Sequence, residues 1–395
     1  MTFGPSRAIL SAGKDTDVRK HYLATPGPSP VPEQVRLALA EEMIHHRTAD
    51  FRSYTASATA NLKKVFKTEN DVLIMAASGT GAMEAAVSNV ISRGDRAITV
   101  EGGKFGERWT ELVMAFGGEP LVMEVEWGRG PDPAEIGAIL KANPDVKAVY
   151  ATLCETSTAT VQDIEAIGKI VAHTEAILVV DGISGAGAVD IRTDEWGVDI
   201  LCVGSQKALM MPPGLAFVTV SDKAWGRIDK ADRAAYYFDL KKARKNAAKN
   251  DTPYTPAVSM IRALARATDM IVKEGVEEVL SRHSKLARAT RAAVEAIGLE
   301  IFSKAPADAV TAVLMPEGLD AEKLRKLMDE RFGVSVAGGQ AHLKGRVIRI
   351  AHMGYMGALD IVAVVAALEM ALALMGFDFK AGSGLAACQK VLVDE

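Results

Sequence analysis

The chain has 395 residues, 49% of them hydrophobic and 24% charged, and carries a formal net charge of −4. That is the composition of an ordinary globular protein, long enough for two or three domains. No basic excess points to nucleic acid or to an anionic membrane, and the three cysteines lack the spacing of a metal site or a disulfide framework.

Residues 1–20 are polar and read as an irregular arm with no apolar signal segment, so a reducing cytoplasm is the expected location. The run Thr25-Pro26-Gly27-Pro28-Ser29-Pro30-Val31-Pro32 is too rich in proline and glycine for a helix or an inner strand. A helical pattern follows over 33–44. From about residue 70 apolar runs at 71–75, 97–100, 120–125, 146–152, 176–180, 200–203 and 215–220 read as strands. Helical patterns at 80–92, 105–116, 133–141 and 163–173 lie between most of them. This alternation predicts an α/β fold, a mainly parallel sheet with helices on both faces, in which ligands bind beyond the carboxyl ends of the strands.

Residues 226–255 read as a long excursion, lining a site or crossing to a partner subunit, or simply a solvated loop. A long helix is expected over 256–297, broken near Gly275. The remainder alternates compactly: strand 311–315, helix 321–332, strands 334–337 and 346–351, helix 359–375. The apolar stretch 361–377 is interrupted by Glu369 and reads as a buried helix, not a membrane span. The expected division is an arm over 1–20, a large domain over 21–270 and a smaller C-terminal α+β domain over 271–395.

The most informative residue is Lys207, in Gly204-Ser205-Gln206-Lys207-Ala208, directly after a buried strand. Asp181 ends a neighbouring strand. A lysine amine can hold an aldehyde covalently, and a carboxylate can keep a pyridine nitrogen protonated, which is how a protein equips pyridoxal phosphate as an electron sink. Apolar neighbours should lower the proton affinity of Lys207 and suit it to act as a base once free. Ala77-Ser78-Gly79-Thr80-Gly81 follows a strand and opens a helix, where free amides favour a phosphate, although an ordinary strand–helix turn fits equally well. It lacks the lysine of a P-loop, and Glu84 stands where a dinucleotide fingerprint has its third glycine. Arg349, within Val347-Ile348-Arg349-Ile350-Ala351-His352, points inward on a strand, to grip a carboxylate or to make a structural ion pair. His352 suits packing.

Together these residues resemble the class V aminotransferases of fold type I, the group containing alanine–glyoxylate and serine–pyruvate aminotransferases. The likeness spans nearly the whole chain. It includes Gly27-Pro28-Ser29-Pro30-Val31-Pro32, His46-Arg47-Thr48-Ala49-Asp50-Phe51, Ser78-Gly79-Thr80-Gly81-Ala82-Met83-Glu84 and Glu155-Thr156-Ser157-Thr158. It is most specific at Asp181-Gly182-Ile183-Ser184 and Gly204-Ser205-Gln206-Lys207-Ala208-Leu209, and ends at Arg349-Ile350-Ala351-His352-Met353-Gly354.

The resemblance implies that Lys207 carries the cofactor, pyridoxal 5'-phosphate, while Asp181 holds its ring nitrogen. Ser78, Gly79, Thr80 and Gln206 would surround its phosphate, and Thr156 would approach its ring hydroxyl. Phe105 would stack on one ring face, with Ile183 on the other. Arg349 would bind the substrate carboxylate near Gly27 and Pro28, and Tyr254 and Thr255 would reach the phosphate of the neighbouring subunit. A homodimer with both sites at the interface follows, catalysing transamination between alanine or serine and glyoxylate or pyruvate. Leu153-Cys154-Glu155 departs from the residues usual in the family, which bears on the substrate more than the cofactor. Alternatives with the same cofactor are an aminoethylphosphonate or ureidoglycine transaminase and a lyase such as a cysteine desulfurase, for which Cys388 is the loose candidate. A nicotinamide dehydrogenase lacks its glycine fingerprint here, and a binding protein that kept the fold would be expected to have lost Lys207 or Asp181.

Overall fold

The computed structural model describes residues 20–232 and 235–394, so the expected arm lies outside the described residues except for Lys20. Its centre is a seven-stranded sheet in the spatial order Asp71–Met75, Ala216–Val220, Ile200–Gly204, Ile177–Asp181, Ala148–Thr152, Arg96–Glu101, Glu119–Glu124. Ala216–Val220 runs antiparallel to both its neighbours, and the other six strands share one direction. The inner strands are buried along their full length because helices cover both faces. Alternate residues serve two cores. Val149, Leu178, Val180 and Leu201 pack on one face with Phe51 and Leu62, whereas Tyr150, Ile177, Val179 and Cys202 pack on the other with Met83 and Trp109.

Parallel strands put their carboxyl ends on one edge. Met75, Glu101, Thr152, Asp181 and Gly204 all end there, and the segments after them build the site. A second, antiparallel sheet comprises Glu300–Ile301, Val310–Leu314, Val347–Ala351 and Ala337–Gly338. It packs with Ala321–Phe332, Ala358–Leu374 and Ser383–Asp394 around a separate apolar cluster.

Several expected boundaries move. The helix Ala49–Phe66 was not foreseen. Thr48 caps it, accepting from Phe51 N at 3.3 Å; Asp50 lies in its first turn and Lys63 and Lys64 in its last, and Lys67 ends it in the left-handed region at φ 51°. Its buried stripe, Phe51, Thr55, Ala58, Leu62 and Val65, packs on the helix Val258–Glu274. Among the described residues the excursion overlaps the end of the helix Asp222–Lys230 and contains Leu240–Ala247, which are capped by Ser221 and Asp239. The long helix does break at Gly275, whose φ of 99° no helix accommodates, into Val258–Glu274 and Val276–Ile297. The expected strand 334–337 is two pieces: Val334–Ser335 pairs with Tyr22–Leu23, and Ala337–Gly338 with Val347–Ala351. Among the described residues no helix is long and apolar enough to cross a membrane.

Candidate active site

Lys207 lies in a turn held shut by Ser205, whose hydroxyl donates to Pro212 O at 2.7 Å and accepts from Leu215 N at 3.2 Å. The proline-rich segment lies across this turn. Ser29 N donates to Gln206 O at 3.0 Å, Ser29 Oγ donates to Lys207 O at 2.6 Å, and Lys207 Nζ donates to Pro26 O. Gly27 must be glycine: its φ is 134°, and a Cβ there would stand 2.5 Å from Lys207 Nζ. Burial lowers the Lys207 pKa to about 8, against the opposing pull of Asp181.

Asp181 is the last residue of its strand and is 4% exposed. One carboxylate oxygen accepts from Ile183 N at 2.8 Å. Burial raises its pKa to about 7; the Ile183 amide opposes this, Glu155 adds to it, and Arg108 and Lys207 oppose it. An acid so placed needs a cation to remain charged near neutrality.

Ser78 precedes the helix Gly79–Val90, and its side chain makes no capping bond, which leaves the first helical amides open to an anion. Gly79 is pressed against Ile183, since a Cβ there would meet Ile183 Cδ1 at 2.5 Å. Gln206 brings a buried amide oxygen that has no partner, beside Gly204 and Gly79. Thr80 Oγ1 accepts from Arg108 Nη1 at 3.2 Å, and the Arg108 guanidinium lies 5.1 Å from the centre of the Phe105 ring.

Opposite this edge stands Arg349, in the middle strand of the small sheet between Ala312 and Ala337, whose small side chains flank it in register. Its Nε donates to Gly338 O and its Nη1 to Thr156 O, each at 2.9 Å. Burial lowers its pKa to about 10, and Glu155 opposes that shift. Two main-chain carbonyls orient it, in place of the carboxylate that a structural ion pair would supply. Thr156 Oγ1 donates to Ser184 Oγ at 2.6 Å, so the loop after one strand is tied to the loop after the next. His352 is locked by Thr311 Oγ1 at 2.9 Å and Asp308 O at 2.7 Å, and burial lowers its pKa to about 4.

Residues 21–383 match the family described as "Aminotransferase class-V". The chain belongs to the class V aminotransferases. A Synechococcus protein named "Soluble hydrogenase, small subunit" is 45% identical, with 94% of this chain and 98% of that protein covered. The serine–glyoxylate aminotransferase of Methylorubrum extorquens is 37% identical over 94% of this chain and 96% of its own. Among solved structures, the ureidoglycine–glyoxylate aminotransferase of Bacillus subtilis superposes with a TM-score of 0.91 at 27% identity, covering 96% of this chain and 100% of that one.

This aminotransferase is therefore a fold type I, pyridoxal phosphate-dependent enzyme. Its residues fit that group: a buried amine of lowered proton affinity, a buried acid awaiting a cation, and an open helix start. The structure brings Ser78, Gly79, Thr80, Phe105, Thr156, Asp181, Ile183, Gln206, Lys207, Gly27 and Arg349 to one region through the contacts above. Tyr254 and Thr255 are placed differently. Tyr254 stacks on Tyr237 with ring centres 5.3 Å apart, and its hydroxyl donates to Tyr236 O at 3.0 Å. Both residues line a groove with Met75, Ala76 and Phe238, and Phe238 lies against Gly81 in the first turn of the helix Gly79–Val90. Reading by residue type assigned no role to Glu155 or Ser184. The available signal was an acid set in an otherwise apolar and hydroxyl-rich run, Leu153-Cys154-Glu155-Thr156-Ser157.

Proposed function

We propose that this enzyme transfers the amino group of a small amino acid, alanine or serine, to a 2-oxo acid, glyoxylate or pyruvate, and works as a homodimer. The observation that carries the reading is the meeting of Lys207, Asp181 and Arg349 across two sheets, with the main chain of Pro26 and Gly27 lying over the amine. Bound pyridoxal phosphate supplies an electron sink for bond breaking at the substrate α-carbon. The protein does the rest. Lys207 would hold the cofactor through its aldehyde, and its neutral Nζ, when free, would take the substrate's α-proton. A pKa near 8 leaves a useful fraction of that amine unprotonated at neutral pH. A cationic ring nitrogen facing Asp181 would bring its pKa below about 7 and keep the carboxylate charged at neutral pH. The amides and hydroxyls at Ser78, Gly79 and Thr80, with the Gln206 side-chain amide, would hold the phosphate, Phe105 and Ile183 would bracket the ring, and Thr156 would approach the ring hydroxyl. Arg349, already oriented by two carbonyls, takes the substrate carboxylate in a paired hydrogen bond.

Glyoxylate as acceptor is supported by the relatives in Methylorubrum extorquens and Bacillus subtilis, both named for it. The latter's resemblance favours ureidoglycine as the second reading for the donor. A desulfurase would need a mobile cysteine, whereas Cys154, Cys202 and Cys388 are all buried. Tyr236 and Tyr237, 76% and 49% exposed, support a second copy docking on that side.

Half-reaction spectroscopy tests the donor directly. The holoenzyme is mixed with alanine, serine, aspartate or ureidoglycine, and loss of the ~410–420 nm band of the lysine-bound cofactor is followed. The regenerated aldehyde form is then sought with glyoxylate and pyruvate. Alanine or serine should be fastest; faster turnover of aspartate or ureidoglycine would displace the small-donor reading.

A further inference from the structure

Glu155 is 1% exposed, and its partners are neutral donors rather than a cation. Phe105 N donates to it at 3.2 Å, Gly106 N at 2.9 Å, and Ser157 through N at 3.1 Å and Oγ at 2.5 Å. The carboxylate thus stands at the start of the helix Gly106–Ala115, where the free amides and the helix dipole stabilise a negative charge. The loop before that helix wraps closely around it, for a Cβ on Gly103 would lie 2.5 Å from Glu155 Cδ. The next residue faces the other way: Thr156 O carries Arg349 Nη1, and Thr156 Oγ1 binds Ser184 in the turn after Asp181. One short segment therefore touches the backbone of Phe105, the guanidinium of Arg349 and the Asp181 turn.

We infer that Glu155 is a positioning residue that fixes the ring-stacking side chain and the carboxylate-gripping side chain as one unit. Its carboxylate clamps the backbone that presents Phe105, and its anchored main chain sets the carbonyl on which Arg349 rests. This rests on the roles proposed above for Phe105 and Arg349. Burial raises the Glu155 pKa and its four donors oppose that rise, so the acceptor is costly to alter: each donor left behind loses its partner in a dry site.

The experiment compares Glu155→Gln with the wild-type enzyme in two titrations, apoenzyme with pyridoxal phosphate and holoenzyme with the amino donor in the half-reaction. Gln keeps the shape and removes the charge. Both half-saturation constants should rise together by about tenfold, the maximal half-reaction rate should change by less than about threefold, and borohydride should still fix the cofactor to Lys207. Glu155→Asp, which keeps the charge, should recover part of both losses. If either constant stays within about twofold of wild type while only the melting temperature falls, Glu155 merely caps a helix and the inference is wrong. Should Glu155→Gln fail to fold, Ser157→Ala removes one of the four donors, the hydroxyl, and should move both constants the same way by about threefold; no movement would overturn the inference equally. Arg349→Gln in the same assays separates the two levels. If it leaves the donor constant unchanged, the role of Arg349 is wrong; if it raises that constant and Glu155→Gln does not, only the role of Glu155 falls.

Discussion

Lys207 is expected to hold its own chain's cofactor and Tyr254 to reach that of the neighbouring subunit, and their surroundings contrast. Lys207 is enclosed by its own chain: Pro26 O on its amine, Gly27 across its side chain, Asp181 near enough to oppose the effect of burial. Tyr254 belongs to an outward-facing cluster in which Lys242 lies over the rings of Tyr236 and Tyr254 at 4.5 and 5.6 Å, and Lys242 Nζ donates to the Tyr254 hydroxyl at 3.2 Å. The first arrangement draws on Pro26, Gly27 and Asp181 of the same chain. The second presents aromatic and cationic groups to the exterior, as the proposed contribution to another copy's phosphate requires. On that proposal, contacts at the phosphate would depend on assembly more than chemistry at the ring does.

The sharpest way to break this contrast is Lys207→Ala. It should lower transamination by about 10⁴-fold or more and abolish borohydride fixation of the cofactor at any protein concentration. Asp181→Asn should cost about 10²–10³-fold in the maximal rate while leaving the cofactor fixable. The same change should stabilise the apoenzyme. The folded pKa of Asp181 is about 7, above its ordinary 3.8, so the native state holds this proton more tightly than the unfolded chain does. The resulting penalty grows as pH rises from about 4 to about 7 and is fully present above that. Apo Asp181→Asn should thus melt about 1–3 °C higher at pH 8, with the difference fading towards pH 4 in calorimetric scans. Arg349→Gln should raise the donor KM by about 10–100-fold with a smaller change in the maximal rate, as measured in the half-reaction. Tyr254→Phe should have the smallest effect, about threefold weaker binding of pyridoxal phosphate. Its loss should shrink on dilution below the dissociation constant of the copies, because the wild-type contact then disappears as well; a loss independent of concentration would place Tyr254 at its own chain's site.

Much of the central sheet was legible because its signal is local. Buried parallel strands are continuous apolar runs, and 146–152, 176–180 and 200–203 stand out from their flanks without any knowledge of what covers them. The helix Ala49–Phe66 was missed although its stripe has helical spacing, because Arg52, Ser53, Thr55, Ser57 and Thr59 dilute the apolar pattern and its helix-start signal falls within a polar stretch. The split at Ser335 and Ala337 was not legible at all. Which of two neighbouring sheets a two-residue strand joins depends on where Tyr22–Leu23 returns, more than three hundred residues earlier in the chain.

The candidate site divides in the same way. Lys207 and Asp181 were readable from residue type at the ends of apolar runs, since parallel strands must deliver those ends to one edge whatever else the chain does. The carbonyls that orient Arg349, the partners of Glu155 and the need for Gly27 were not, because each depends on segments far apart in sequence meeting in space. Local periodicity determined the sheet, its direction and the pair of charged side chains that equip the cofactor. Tertiary packing alone decided how the second sheet closes over them and which aromatic groups face outward, because contacts across a distance are selected by the fit of whole surfaces and leave no repeat in the chain to read.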